Sequence, residues 1–342
     1  MFTNPDASGT RRPPEVRRLI WLVAAILLTL VVGYLATSGP PSPTPNPPGT
    51  FSFAALGDAP YHAWEDVQYR LVLQALDAHD LSWVLHVGDI FSRPCTDELY
   101  TSRLGWFNGL RHPVIYTPGD NEWRDCWHSS SGAFVPQERL DRIRQIFFGD
   151  PARSLGGRAL SLVRQGNREP YPEFVENVRW AHERFVFATV HLVGRTEGRE
   201  PTTAEDDAAK RRNEAAAAWL RETFAEAEAQ NASGVVLGFH GGPSFEGPVD
   251  DPNRKAFEPF LTTLEEEVEQ FPKPVLAAHG DHHRYTVDHP LVRRTTLRRL
   301  ANFTRLQVPG SPEVGWVRVV VTPGADAPFA FEEHVVPRWK YW

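Results

Sequence analysis

Four apolar runs in this chain stop at a glycine followed at once by an acid. They are residues 53–56 before Gly57-Asp58, 84–87 before Gly88-Asp89, 114–118 before Gly119-Asp120, and 275–279 before Gly280-Asp281. A related run, residues 235–239, ends in His240 instead. Runs that are apolar at nearly every position predict strands buried on both faces. The glycine lets the backbone turn sharply as it leaves the strand. Between the runs the apolar spacing becomes helical. Residues 64–78 carry Trp64, Val67, Leu71, Ala75 and Ala78; Asp97 reads as the cap of a second helix to about residue 110; residues 137–148 form a third. Residues 203–230 predict an Ala/Glu-rich helix, 185–193 a strand, and 253–270 another helix. This alternation predicts βαβ units and a largely parallel central sheet whose strand ends share one rim. Residues 149–177 have no period and read as a long surface excursion. From Arg284 onward, segments 284–287, 304–308, 314–321 and 330–336 predict a second, more antiparallel sheet beside the first.

The N-terminal pattern is different. Residues 1–18 are polar and basic, with Arg11, Arg12, Arg17 and Arg18, and residues 19–36 are an uncharged apolar run. As a helix that run rises about 27 Å, near the hydrocarbon thickness of a bilayer. It predicts a single-pass signal anchor in the cell membrane. The arginines keep residues 1–18 in the cytoplasm and send the rest outward, to the periplasm or cell exterior. A cleaved signal peptide is the alternative, because Ala36-Thr37-Ser38 has the small residues that cleavage needs. Residues 37–50 are a Pro-rich linker, and residues 51–342 are the globular domain.

Composition narrows this picture. Hydrophobic content of 41% with 11 Trp supports a sizeable core. A formal charge of -7 without a dense basic face excludes a general nucleic-acid binder. Two cysteines are too few for a disulfide scaffold.

The chemistry lies at the strand ends. One Gly-Asp after a strand is a common turn. Four of them, together with two histidine-bearing strand ends, predict a divalent metal site. Their order and spacing resemble the calcineurin-like metallophosphoesterases over residues 51–336. That resemblance implies an α/β fold, a four-layer α/β/β/α sandwich of two mixed sheets. It also implies one or two divalent metals (Mn, Mg, Ca, Fe or Zn) and a phosphorylated small molecule or other phosphoester as substrate. Two such metals about 3.5–4 Å apart clamp the phosphate and activate water.

Carried across residue by residue, the resemblance puts Asp58 on the first-metal aspartate and Asp89 on the bridging one. Asp120 takes the asparagine ligand's place, and Asn121 that of the histidine assisting leaving-group departure. His240 matches the strand-end histidine, Asp281 the second-metal histidine and His283 the first-metal one. His279 substitutes if the register slips. The family's histidine two residues past the first aspartate is Pro60 here, and Tyr61 follows; the related purple acid phosphatases use a tyrosine ligand in another motif. His62 is the candidate replacement proton donor. Arg93 and Arg124, each four residues past a motif aspartate, are candidates for phosphate oxygens. His86 and His191 read as core. The extra carboxylates favour hard cations but repel an anionic ester. The reading is therefore a metal-dependent phosphoester hydrolase tethered outside the membrane. The alternative is a catalytically weak or inactive metal-binding envelope protein that serves as an interaction module.

Cys95 and Cys126 each stand six residues past a motif aspartate. If Asp89 and Asp120 face one metal, their loops leave the rim together. In an oxidising compartment that predicts a Cys95–Cys126 disulfide.

Overall fold

The computed structural model describes residues 44–194, 198–248 and 250–337. The expected cytoplasmic segment and membrane-spanning run lie outside these residues. Among the described residues no helix is long and apolar enough to cross a membrane.

In chain order come β1 (Phe51–Leu56), α1 (Glu65–Asp77), β2 (Val84–His86), α2 (Asp97–Gly109), β3 (Pro113–Tyr116) and α3 (Pro136–Phe147). Next are β4 (Leu155–Gly156), β5 (Val163–Arg164), β6 (Val178–His182), β7 (Phe185–Thr189), α4 (Thr203–Ala229) and β8 (Gly234–Phe239). The remainder is α5 (Pro252–Lys255), α6 (Phe260–Gln270), β9 (Val275–His279), β10 (Thr286–Asp288), β11 (Val292–Arg293), β12 (Arg298–Arg299), β13 (Phe303–Gln307), β14 (Gly315–Val321) and β15 (Phe329–Val335).

These strands make two large mixed sheets, ordered β15-β14-β1-β2-β3-β4 and β10-β13-β9-β8-β7-β6-β5, while β11 and β12 pair only with each other. The motif strands are thus divided between the sheets, not gathered in one central sheet as the alternation predicted. The segments after Arg284 do not make a sheet of their own either. β14 pairs antiparallel with β1, and β13 pairs parallel with β9.

The apolar runs are explained by three cores. Ala54 and Leu56 of β1 pack with Val72, Leu76, Phe107 and Ile143 of the first helix layer. Phe53 and Ala55, on the opposite face, pack between the sheets with Phe187, Val236 and Leu276. Val235 and Leu237 of β8 face Trp219, Leu220 and Leu264 of the second helix layer. Alternate residues of each strand therefore serve different cores, which is why the runs are apolar at nearly every position. The result is the α/β/β/α layering that the resemblance implied.

Local corrections have local causes. Thr96, not Asp97, caps α2, its side chain accepting from the backbone N–H of Leu99. The helix expected over 253–270 is two helices interrupted at Pro259, whose ring and missing N–H cannot continue a helical ladder. Residues 149–177 are only partly a surface excursion, since Arg164, Gln165, Phe174, Glu176 and Asn177 are buried. The last part of the linker is bound to the domain: the backbone N–H of Thr44 donates to Ala78, and Asn46 binds the Asp80 carbonyl and Arg318.

Candidate metal centre

The carboxyl ends of β1, β2, β3, β8 and β9 deliver Asp58, Asp89, Asp120, His240 and Asp281 to one place. The loops are locked together by backbone bonds: Asp58 N–H to Gly88 (3.1 Å) and Gly280 N–H to His240 (3.1 Å). Two of the glycines are dictated by close approach. A Cβ on Gly119 would stand 2.1 Å from Asp89 Oδ1, and one on Gly280 2.4 Å from Asp58 Oδ2. Asp58, Asp89, Asp281 and His283 all have left-handed backbone (φ 54°, 57°, 76° and 58°). Such conformations cost energy and persist where the surroundings over-determine them, commonly at functional sites.

His240 stands at the centre. Its Nε2 lies 3.5 Å from Asp89 Oδ1, 3.4 Å from Asp120 Oδ1 and 3.8 Å from Asp281 Oδ1. Its Nδ1 is 3.0 Å from the Val87 carbonyl, which only accepts, so Nδ1 carries a proton and Nε2 faces the carboxylates. His283 is held the same way. Its Nδ1 donates to the Ser311 carbonyl (2.7 Å), and its Nε2 is 3.7 Å from Asp58 Oδ1. Asp58, Asp89 and His240, and likewise Asp120, His240 and Asp281, bring ligand atoms within 4.8 Å of one another. His240 therefore belongs to both groups and is not confined to one position.

Asp89 is held from two sides. Asn121 donates its backbone N–H to Oδ1 (3.1 Å) and its side-chain amide to Oδ2 (2.7 Å), while the Tyr61 hydroxyl donates to Oδ2. Glu122, which the sequence reading left without a role, is buried behind it. Its Oε1 accepts from the Ile90 N–H (2.9 Å) and the Tyr116 hydroxyl (3.1 Å).

The electrostatics describe a cluster short of positive charge. Burial raises Asp58 to about 6, only partly offset by His240 and His283. Burial also holds Asp89 well above the carboxylate range; His240 opposes this, and Asp120 and Glu122 add to it. His240 is the reverse case: burial lowers it, but Asp89, Asp120 and Asp58 outweigh burial and hold it well above its ordinary value. Asp120 is held low despite burial, chiefly by Arg124. Asp58 Oδ2 and His240 Nε2 are buried without hydrogen-bond partners among the described residues. Orphaned ligand atoms within one buried Asp/His cluster fit a divalent cation, which would displace the protons these groups otherwise hold.

Of the other expected site residues, only Arg124 touches the cluster. His62 is exposed and stacks on Trp64 (5.6 Å), with no hydrogen bond to the cluster. Arg93 is exposed in its loop. Arg124 is buried and occupied by two acids, Asp120 and Asp125 (3.2 Å), so it is not a free loop arginine. His279 is buried, stacked on Phe239 (5.6 Å), and takes no part. His86 and His191 are core residues bonded to Tyr69 (3.0 Å) and Glu176 (2.7 Å). Cys95 and Cys126 are disulfide-bonded, with Cα atoms 5.8 Å apart.

Neither a family model nor a curated protein matches the sequence. Solved structures do. PhoD aligns at 13% identity over 85% of this chain and 70% of its own, with a TM-score of 0.51. A dimetal phosphatase from Danio rerio aligns at 13% over 84% and 99% (TM-score 0.41), and TT1561 of Thermus thermophilus at 9% over 84% and 100% (TM-score 0.42). The likeness to PhoD shows a shared fold, that of the calcineurin-like metallophosphoesterases.

Proposed function

We propose that the chain is a metal-dependent phosphoester hydrolase, acting on phosphomonoesters or phosphodiesters outside the cytoplasmic membrane. The observation that carries this reading is the convergence of Asp58, Asp89, Asp120, His240, Asp281 and His283, with two buried ligand atoms left unpartnered. Four carboxylates converging here without a cation would repel one another. A divalent ion held there supplies Lewis acidity to a phosphoryl oxygen and lowers the pKa of water.

The chain's own residues do the rest. Val87 and Ser311 orient the two imidazoles through their Nδ1 atoms. Asn121 and Tyr61 fix Asp89, and Tyr61 keeps its proton because burial, then Asp89, push it well above 10. Asn121 stands where the related enzymes have a proton-donating histidine, and an amide cannot give up a proton. Departure of the leaving group then rests on that group's own stability, which favours aryl over alkyl esters.

The experiment is hydrolysis of aryl and alkyl phosphomonoesters and phosphodiesters with added Mn²⁺. Asp89→Ala should lower the rate by about 10³-fold or more, while His191→Ala should retain it if folded. Absence of turnover on every ester by a chain that retains its metal would favour the metal-binding envelope module instead.

The placement outside the membrane is supported by residues 19–36 and by the Cys95–Cys126 bond, since disulfides persist in oxidising compartments. Protease added outside intact cells, or to spheroplasts, should release the domain. Full protection would refute the placement.

A further inference from the structure

A cavity of about 840 Å³ lies beside the metal centre, between the start of α3, the first turns of α4, and α5. Its volume is in the range of small-molecule sites, about 300–1,000 Å³. The buried residues of α4 begin only at Arg212, so its first turns overhang the core and wall this space. Trp123, Phe134 and Val135 supply apolar wall. Arg124 and Arg212 supply charge, and both are more than nine-tenths buried.

The two arginines are differently employed. Arg124 gives Nη2 to Asp120 and Nε to Asp125, which leaves Nη1 buried without a partner. Arg212 makes no hydrogen bond or ion pair among the described residues, and its Nε is buried and unpartnered. It packs on the Trp123 ring at 5.1 Å. The nearest countercharge acting on it is Glu176, but that carboxylate is held by Arg144 (2.7 and 3.1 Å) and His191 (2.7 Å). Burial, then Arg124, push Arg212 down to about 9, as expected for a cation lacking its own acid. Asn213 Oδ1 is also buried and unpartnered, and Lys255 stands on the exposed wall. Of the two carboxylates lining the cavity, Glu205 is held by Arg199 and Thr202, and Asp206 is exposed.

A buried guanidinium without an acid is costly, and a structural role would be served as well by an apolar residue of similar length. We propose that Arg212, with the free Nη1 edge of Arg124, forms an oxyanion subsite that receives a second anionic group of the substrate. That group would be a phosphate or carboxylate carried on the far side of the phosphoester. The inference rests on the hydrolase reading for the word substrate, but not for the anion site itself. Arg124 joins the two, one edge on the metal-centre acid Asp120 and the other free toward the cavity wall. Paired guanidinium forks suit an oxyanion geometrically as well as by charge. The selected esters would then carry two anionic groups, with an apolar portion against Trp123 and Phe134.

The test separates the subsite from the hydrolase. Inorganic phosphate and, separately, acetate are titrated into the full-length chain after chelator treatment, with Trp fluorescence as the readout. Saturable binding is expected, and the tighter of the two anions identifies the group. Arg212→Met should weaken it about tenfold or more, and Arg212→Lys should weaken it less. Asp89→Asn should leave it within about twofold, since the chelated metal centre is not the anion's site. Arg212→Met should not lower the melting temperature, because methionine keeps the apolar packing on Trp123 and only a cation with no acid of its own is removed. Unchanged anion affinity in Arg212→Met, or a melting temperature several degrees lower, would overturn the proposal and assign Arg212 to Glu176 as a structural cation. With metal restored, Arg212→Met should lower kcat/KM about tenfold on an ester bearing a second anion and leave an aryl phosphoester without one unaffected. Failure of the wild-type chain to hydrolyse any ester would count against the proposed function alone, with the anion titration still deciding the subsite.

Discussion

Two buried polar clusters in this domain solve the same problem in opposite ways. At the end of β7, Glu176 takes Arg144 on both oxygens and His191 on one, and Asn177 binds the His191 backbone N–H (2.6 Å). One acid meets one arginine, so Glu176 is pulled down to about 2 although burial alone would raise it. At the rim, Asp58, Asp89, Asp120 and Asp281 have only Arg124 as a permanent cation among the described residues, and Asp58 and Asp89 are pushed up instead. A cluster that balances itself belongs to the architecture. A cluster whose charges balance only when something else is bound belongs to function. Trp123 lies between these regimes, edge-on to His191 (5.5 Å) and three residues past Asp120.

The largest effect should come from breaking the balanced cluster. Glu176→Gln leaves the Arg144 guanidinium, 13% exposed, without its carboxylate. We expect a loss of about 3–5 kcal/mol in denaturant unfolding, typical of removing one partner of a buried pair. A loss under about 1 kcal/mol would mean that Glu176 is not the architectural acid described above.

The opposite sign is expected at the rim. In the metal-free chain Asp58 ionises near pH 6 when folded and near 3.8 when unfolded. Between those values the folded state binds more protons, so this group's contribution falls as pH rises through the window. Above it the deficit is about 3 kcal/mol. Asp58→Asn removes the deficit. Buried neutral His86 and His279, both lowered to about 3 by burial, lose stability as pH falls through the same range. The comparison is therefore wild type against Asp58→Asn, both chelated. They should coincide below about pH 4, and the variant should be more stable by up to about 3 kcal/mol above pH 6. Adding the cation should reverse the order, since only the wild type keeps the full ligand set. An unchanged difference across pH 4–7 would show that Asp58 carries no such burden.

The rim was legible in the sequence because its cause is local. A strand buried on both faces must end in a turn, and Gly-Asp written four times marks those turns. The division into two sheets was not legible, because pairing is long-range: Phe51 of β1 lies opposite Val321, at the other end of the chain. β6 was missed since Arg179 interrupts its apolar run, yet that side chain is buried with its guanidinium 4.5 Å from the Trp219 ring. Arg212 shows the same limit. It follows Lys210 and Arg211 on a charged helix, where Arg211 faces out to Glu173 and Arg212 turns in. Nothing in the spacing separates the neighbours; only the packing of α4 over the sheet does.

The Cys95–Cys126 bond joins the loops that follow β2 and β3, and so acts on the rim but not on the Glu176 cluster. It spans 31 residues. Chain entropy for such a loop gives about 3.7 kcal/mol, less if the reduced chain retains structure. Reduction should lower the unfolding midpoint and weaken metal affinity, while leaving the effect of Glu176→Gln unchanged in a double comparison. Metal affinity that is indifferent to reduction would show that the loops hold their spacing without the bond.

The smallest effect separates the two residues that the sequence offered as catalytic candidates. Asn121 is bonded twice to Asp89, so its side chain helps fix the rim. His62 is exposed, stacked on Trp64, in the stretch leading into α1. A solvated ring without a hydrogen-bonded partner gains little from the fold, and substitutions at such surface positions usually change stability by less than about 0.5 kcal/mol. His62→Ala should therefore leave metal affinity intact and change kcat/KM by less than about twofold on any ester the wild type hydrolyses. Asn121→Ala should lower both, because Asp89 then loses its amide donor. The decisive measurement is the pH–rate profile. A general acid at His62 would give an acid-dependent limb of the profile that vanishes in His62→Ala. An unchanged profile in that variant, alongside a lowered rate in Asn121→Ala, would place the working chemistry at the rim and leave His62 outside it.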